Sequence, residues 1–144
     1  VGDSDQVSDK VRQALNDGER ATQENDTLVL TVAFNYGGRW DIVQACRRAM
    51  EAGVTSSDLS EATLSRFMAM AYAPDPDLFI RTGGEVRLSN FLLWQSAYAE
   101  LFFTDCLWPD FDAAELDRSL AEFARRERRF GGVMSESGNT REGA

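Results

Sequence analysis

The stretch from Asp77 to Thr104 reads DLFIRTGGEVRLSNFLLWQSAYAELFFT, and its reading decides the fold. DLFIRT is short, apolar and β-prone, which predicts a strand from Asp77 ending at Arg81 or Thr82. Gly83-Gly84 interrupts it as a loop. Ser89 or Asn90 then suits the cap of a helix reaching about Ala97. ELFFT, from Glu100 to Thr104, predicts a second strand. A strand, a crossover helix and a strand in this order imply parallel pairing with a right-handed connection.

Working outward, the same alternation recurs upstream. TLVLTVAFNY, Thr27 to Tyr36, is too apolar for a one-sided strand and predicts a strand buried on both faces. Val7, Val11, Ala14 and Leu15 recur at helical spacing before it, predicting a helix over about Ser4 to Glu24. Gly37-Gly38 follows the strand, and Ile42, Ala45, Cys46 and Ala49 give a second helix one apolar face, with Gly53 as its stop. Leu64, Phe67, Met68 and Ala71 mark a third helix over about Ser60 to Ala71, and the methionines there read as core. Downstream, Trp108-Pro109 turns the chain. Asp112 with Glu115 opens a last helix through Leu116, Leu120 and Phe123 to about Arg128.

The fold class is therefore α/β, a mostly parallel sheet flanked by helices. Residues 1–132 read as one domain and 133–144 as a polar, flexible tail. Three strands make a small sheet with an exposed, apolar inner edge. Val1-Gly2-Asp3 reads as the end of a strand running into a loop, so further strands are expected upstream.

Composition narrows the function. The net charge of −9 argues against a nucleic-acid partner, which needs a basic face. The chain contains no histidine, and its two cysteines, Cys46 and Cys106, have no neighbour at metal-ligand spacing, so neither a zinc site nor a histidine base is expected. Both thiols read as buried and reduced, and no signal peptide is visible, which points to a cytoplasmic setting. No stretch approaches the roughly 20 apolar residues of a membrane span.

Local cationic sites survive this acidity. Ligands of open α/β sheets sit beyond the carboxyl ends of strands, and two such junctions carry glycine pairs and arginine. The first is Asn35-Tyr36-Gly37-Gly38-Arg39. At the second, Gly83 and Gly84 let backbone approach a ligand, and the expected helix beyond would offer free N–H groups to an anion. Arg81 and Arg87 would add guanidinium donors and Ser89 a hydroxyl, which together describe a phosphate or diphosphate site. The competing reading has both arginines simply paired with Glu85 and other carboxylates. Glu100 opens a strand after an apolar run, so it is either partnered by arginine or bound to a cation. Arg125, Arg126, Arg128 and Arg129 either complement a helix dipole or belong to a site.

Residues Pro76 to Phe111, with NYGGRWDIV (Asn35 to Val43) and RRERRFGG (Arg125 to Gly132), resemble the later motifs of cis-prenyltransferases of the undecaprenyl diphosphate synthase family, in the same order. The resemblance implies an enzyme joining isopentenyl diphosphate to an allylic diphosphate, typically farnesyl diphosphate, with Mg2+ as cofactor. It implies that Arg81, Arg87 and Ser89, with Gly83, Gly84 and Leu88, hold isopentenyl diphosphate, and that Glu100 is a magnesium ligand. It implies that Arg129 and Gly131 reach the site of a neighbouring subunit, so a homodimer is expected. Phe91, Trp94, Phe102 and Trp108 are then either interface anchors or core. A long polyprenyl product implies peripheral membrane contact for its release. The family's N-terminal aspartate motif does not occur here, so no catalytic residue is assigned to this chain. The residues are expected to belong to a longer enzyme and to lack turnover as they stand. A non-catalytic partner subunit is the rival within the family. A module for another phosphorylated ligand is the rival outside it.

Overall fold

A computed structural model describes residues 1–3 and 7–126; Arg128, Arg129, Gly131 and the expected tail lie outside the described residues. The elements are α1 (Asp9–Thr22), α2 (Gly38–Glu51), α3 (Glu61–Ser65), β1 (Leu78–Arg81), β2 (Glu100–Phe103) and α4 (Ala113–Arg125), with a 3-10 turn at Trp108–Asp110.

β1 and β2 pair in parallel, Leu78 opposite Glu100 and Arg81 opposite Phe103, so the α/β expectation holds at the stretch that decided it. Alternation along the strands sends Phe79 and Arg81 to one face of this sheet and Glu100 and Phe102 to the other. Both faces are covered. Phe91 meets Phe79 edge-on at 5.9 Å between centroids, closing the first face. α4 closes the second, with the Arg118 guanidinium 4.8 Å above the ring of Phe102, a buried residue.

α2 ends as its sequence predicts. Gly53 has φ +80°, its N–H bonds to the Met50 carbonyl at 3.0 Å, and the Val54 N–H reaches back to Ala49 at 3.0 Å. These two bonds satisfy the last carbonyls of the helix. Ala45, Leu64 and Met68 form the core between α2 and α3, with Trp94 packed against it. α4 starts where Asp112 accepts the Glu115 N–H at 3.0 Å.

Four expectations are corrected. The stretch from Thr27 to Tyr36 is not a buried strand: Leu28, Val29 and Leu30 are 79%, 75% and 82% exposed. A ladder needs a partner strand, and among the described residues the backbone bonds that this stretch makes across the chain run to Val1–Asp3, through Val1 N to Val32 O at 2.8 Å and Phe34 N to Val1 O at 2.9 Å. The sheet therefore has two strands rather than three among the described residues. Residues 90–97 form successive turns instead of a helix, because Asn90 and Leu92 take left-handed backbone, φ +64° and +46°. Tertiary anchors override the local preference there: Leu92, Gln95 and Ser96 are buried, and the Trp94 indole donates to Ser65 Oγ at 3.0 Å.

The third correction is to α3, which stops at Ser65 and continues as turns, leaving Ala71 exposed. α4 forms from its Asp112 cap as expected; Leu116 and Leu120 are exposed, Phe123 is half-buried, Ser119 is fully buried, and Arg118 reaches Thr104 and the Phe102 ring. The fourth correction is to the cysteines: Cys46 and Cys106 are free thiols and only half-buried, not fully buried. Of the four aromatics weighed as interface or core, Phe102 is core and Trp94 borders it, whereas Trp108 is 76% exposed and stacks on Phe111.

Candidate functional site: an arginine-lined cleft

Beyond the carboxyl end of β1 the chain makes a tight reversal at Gly83 and Gly84, with φ +87° and +74°. The Gly83 N–H bonds to the Cys106 carbonyl at 2.8 Å, and Gly84 N–H to Thr104 at 2.9 Å, so the loop is tied to the end of β2. This reversal brings Arg87 and Ser89 back over Arg81. Arg81 Nη1 donates to Ser89 Oγ at 2.7 Å, and Arg87 Nε donates to the same oxygen at 3.2 Å. Arg81 also donates to the Arg87 carbonyl.

Two guanidinium groups thus converge on one neutral hydroxyl. Like charges held this close repel, and an anion between them relieves the repulsion. Glu85 pairs with Arg87. Arg81 forms no ion pair with a carboxylate among the described residues, so its charge is left for a ligand. The reading in which both arginines are consumed by carboxylates therefore describes Arg87 alone.

Arg81 and Ser89 line a cleft of about 390 Å³ that also exposes Thr82, with Leu78, Phe79, Leu88 and Phe91 among its walls. One end is cationic and hydroxylic, and the rest is apolar. Ser89 itself has φ +48°, a left-handed conformation rare for serine and costing roughly 1–2 kcal/mol. The expected helix N-terminus does not contribute here, since no helix forms, and the donors are side chains.

Glu100 does not join this cluster. Its register opposite Leu78 places it three residues from Arg81 along the strands, roughly 10 Å, and on the other face of the sheet. There Arg126 Nη1 donates to Glu100 Oε2 at 3.0 Å and to the Leu101 carbonyl at 2.9 Å, while its Nη2 donates to Glu122 at 2.8 Å. The bonds to Glu122 first and Glu100 second make this guanidinium hold its proton more tightly than usual. No cluster of three or more metal-ligating side chains occurs among the described residues. Of the two readings open for Glu100 the structure carries the arginine-partnered one; a magnesium ion that takes most of its ligands from phosphate and water needs only one or two carboxylates, and half-buried Glu100 would have to exchange Arg126 for it.

Sequence reasoning missed a buried carboxylate. Asp41 is fully buried and accepts from the Tyr36 hydroxyl at 2.8 Å, Gln95 Nε2 at 3.1 Å and the Ala69 N–H at 2.9 Å, with Arg48 at 3.6 Å. Burial, then the bond to Asp41, pushes the Tyr36 hydroxyl well above the ordinary tyrosine value, so it stays a donor. The signal was available: Asp41 stands one turn before Ala45 and two before Ala49, on the buried stripe of α2. Asn90 was missed as anything beyond a helix cap. Its backbone carbonyl accepts the Gly38 N–H at 2.6 Å, and its side-chain Oδ1 accepts the Arg39 N–H at 3.0 Å.

These features define a class: an α/β protein with an arginine-lined cleft beyond the carboxyl end of a parallel strand. The family model described as "Putative undecaprenyl diphosphate synthase" matches residues 1–131, and the chain belongs to that family. An isoprenyl transferase of Ralstonia nicotianae is 53% identical over 138 residues, covering 94% of this chain and 54% of its own length. A ditrans,polycis-undecaprenyl-diphosphate synthase, (2E,6E)-farnesyl-diphosphate specific, of Yersinia pestis is 48% identical over 137 residues, covering 92% and 54%. The chain spans about half the length of the curated relatives it matches. Among solved structures, a probable undecaprenyl diphosphate synthase from Campylobacter jejuni superposes with TM-score 0.81 at 38% identity, covering 91% of this chain and 61% of its own. Lavandulyl diphosphate synthase from Lavandula x intermedia, solved with dimethylallyl diphosphate, gives TM-score 0.85 at 38% identity, covering 91% and 58%.

Proposed function

We propose that this chain supplies the isopentenyl diphosphate site of a cis-prenyltransferase, which extends an allylic diphosphate such as farnesyl diphosphate to a polyprenyl diphosphate. The observation that supports it is the convergence of Arg81 and Arg87 on Ser89 at the polar end of an otherwise apolar cleft. A diphosphate suits the cationic end, and a five-carbon hydrocarbon suits the walls at Leu88 and Phe91. Ser89 would donate its hydroxyl to a phosphate oxygen while still accepting from Arg81. Glu85, a single half-exposed carboxylate on Arg87, competes weakly with a multiply charged ligand.

The arginines hold the diphosphate and orient the isopentenyl carbon–carbon double bond toward the allylic partner, a contribution of positioning and charge rather than of bond-making. Glu100 would supply one carboxylate to magnesium, which neutralises diphosphate charge when bound. Glu100 stands on the sheet face opposite Arg81, so it would serve a diphosphate held elsewhere than in this cleft. A homodimer, together with Arg129 and Gly131, belongs to this proposal through the resemblance.

The test is Arg81→Ala in a full-length enzyme carrying these residues. Losing two charge-assisted bonds is expected to raise KM for isopentenyl diphosphate roughly 100-fold, with KM for the allylic substrate unchanged. Unaltered KM and turnover would remove the diphosphate from this cleft.

A further inference from the structure

The first glycine junction has no role in the site as described, yet the structure joins it to the second. α2 begins at Gly38 with Gly37 as its cap residue, and glycine offers no side chain to cap the first amides. Asn90 does so from 51 residues away. Its carbonyl takes the Gly38 N–H at 2.6 Å and its Oδ1 the Arg39 N–H at 3.0 Å. Room for the Asn90 amide exists because residue 37 is glycine: a Cβ there would lie 2.6 Å from Asn90 Nδ2.

Asn90 directly follows Ser89, and both are left-handed, φ +64° and +48°. Two consecutive non-glycine residues in this region persist only where their surroundings over-determine them. The surroundings on one side are the two α2 amides. On the other side they are Arg81 and Arg87, which donate to the Ser89 hydroxyl. A residue clamped on a 14-residue helix thus sets the backbone that carries the shared hydroxyl.

We infer that Asn90 is a positioning residue for the diphosphate site, with the Gly37-Gly38 junction as its socket. It touches no substrate. It fixes Ser89, and through Ser89 the spacing of the two guanidinium groups. The inference deepens the isopentenyl diphosphate reading and rests on it. A loosened clamp leaves the arginines present but no longer preorganised, so binding of isopentenyl diphosphate weakens while the later chemistry is spared.

Steady-state kinetics on a full-length enzyme carrying these residues tests this. Asn90→Ala and Gly37→Ala are each expected to raise KM for isopentenyl diphosphate about tenfold, with kcat within about twofold and KM for the allylic substrate unchanged. The double variant should be no worse than the poorer single one, since both break the same clamp. Asn90→Gly keeps the left-handed backbone and the carbonyl acceptor while losing Oδ1, so it should fall between wild type and Asn90→Ala. Because it is the mildest change, it decides the matter if Asn90→Ala does not fold. Ser89→Ala is the reference. If it raises that KM while Asn90→Gly and Gly37→Ala do not, the positioning role is overturned and the diphosphate site stands. If Ser89→Ala and Arg81→Ala also leave it unchanged, both readings fall. Equal increases in KM for the two substrates would likewise overturn the role, since a general loss of structure would explain them.

Discussion

The two glycine pairs of this chain look alike in sequence and are glycine for opposite reasons. Gly37 has φ −150°, open to any residue, and Gly38 is helical. What they supply is space: a Cβ on Gly38 would lie 2.7 Å from Leu93 Cγ and 2.9 Å from the Leu93 backbone nitrogen. Gly83 and Gly84 supply rotation instead, with φ +87° and +74°. A Cβ on Gly83 would meet nothing within 4 Å. The first pair lets a helix press against the 90–95 segment. The second lets the chain turn back so that Ser89 lies over Arg81.

Substitutions can break or sharpen this contrast. The largest effect is expected beneath the first pair, at Asp41. Asp41→Ala would strand the donors of Tyr36, Gln95 and Ala69 and leave Arg48 without its buried partner, costing about 3–5 kcal/mol in urea denaturation. Next comes Gly38→Ala. Its new methyl group meets backbone that cannot rotate away, so about 1–3 kcal/mol of overpacking is expected. Gly83→Ala should cost roughly 1–2 kcal/mol from left-handed backbone alone, and Gly83→Asn clearly less, because asparagine tolerates that region. Asparagine at residue 38 would bring no such relief. Equal relief at both positions in the same denaturation series would erase the distinction between space and rotation. The smallest effect is a gain. Gly18 lies inside α1 with open space around it, and Gly18→Ala should add roughly 0.5–1 kcal/mol.

Much of this architecture was legible in the sequence. β1 and β2 announce themselves as short runs of branched and aromatic residues, and Asp112 and Gly53 mark helix ends by well-understood chemistry. Arg81, Arg87 and Ser89 are close in sequence, so a glycine turn sufficed to predict their convergence. The rest depended on distant contacts. The pattern from Asn90 to Ala97 is helical, yet Trp94 is committed to Ser65 and Gln95 to Asp41, and satisfying both forces turns. Asn90 caps a helix 51 positions upstream, a partnership that no local window contains. Glu100 was read as either arginine-partnered or cation-bound, and which of the two holds depends on a residue 26 positions away. Strand register separates it from Arg81, and its partner, Arg126, comes from the far end of α4.

The uncovered stretch at Leu28–Leu30 has a practical consequence. Greasy side chains beside main-chain groups that lack a full ladder among the described residues form a natural adhesive for another molecule of the same kind. Light scattering on the purified chain should show larger species accumulating as concentration rises. A lysine in place of Val29 should keep the particles small, because a charge at that edge repels its own twin.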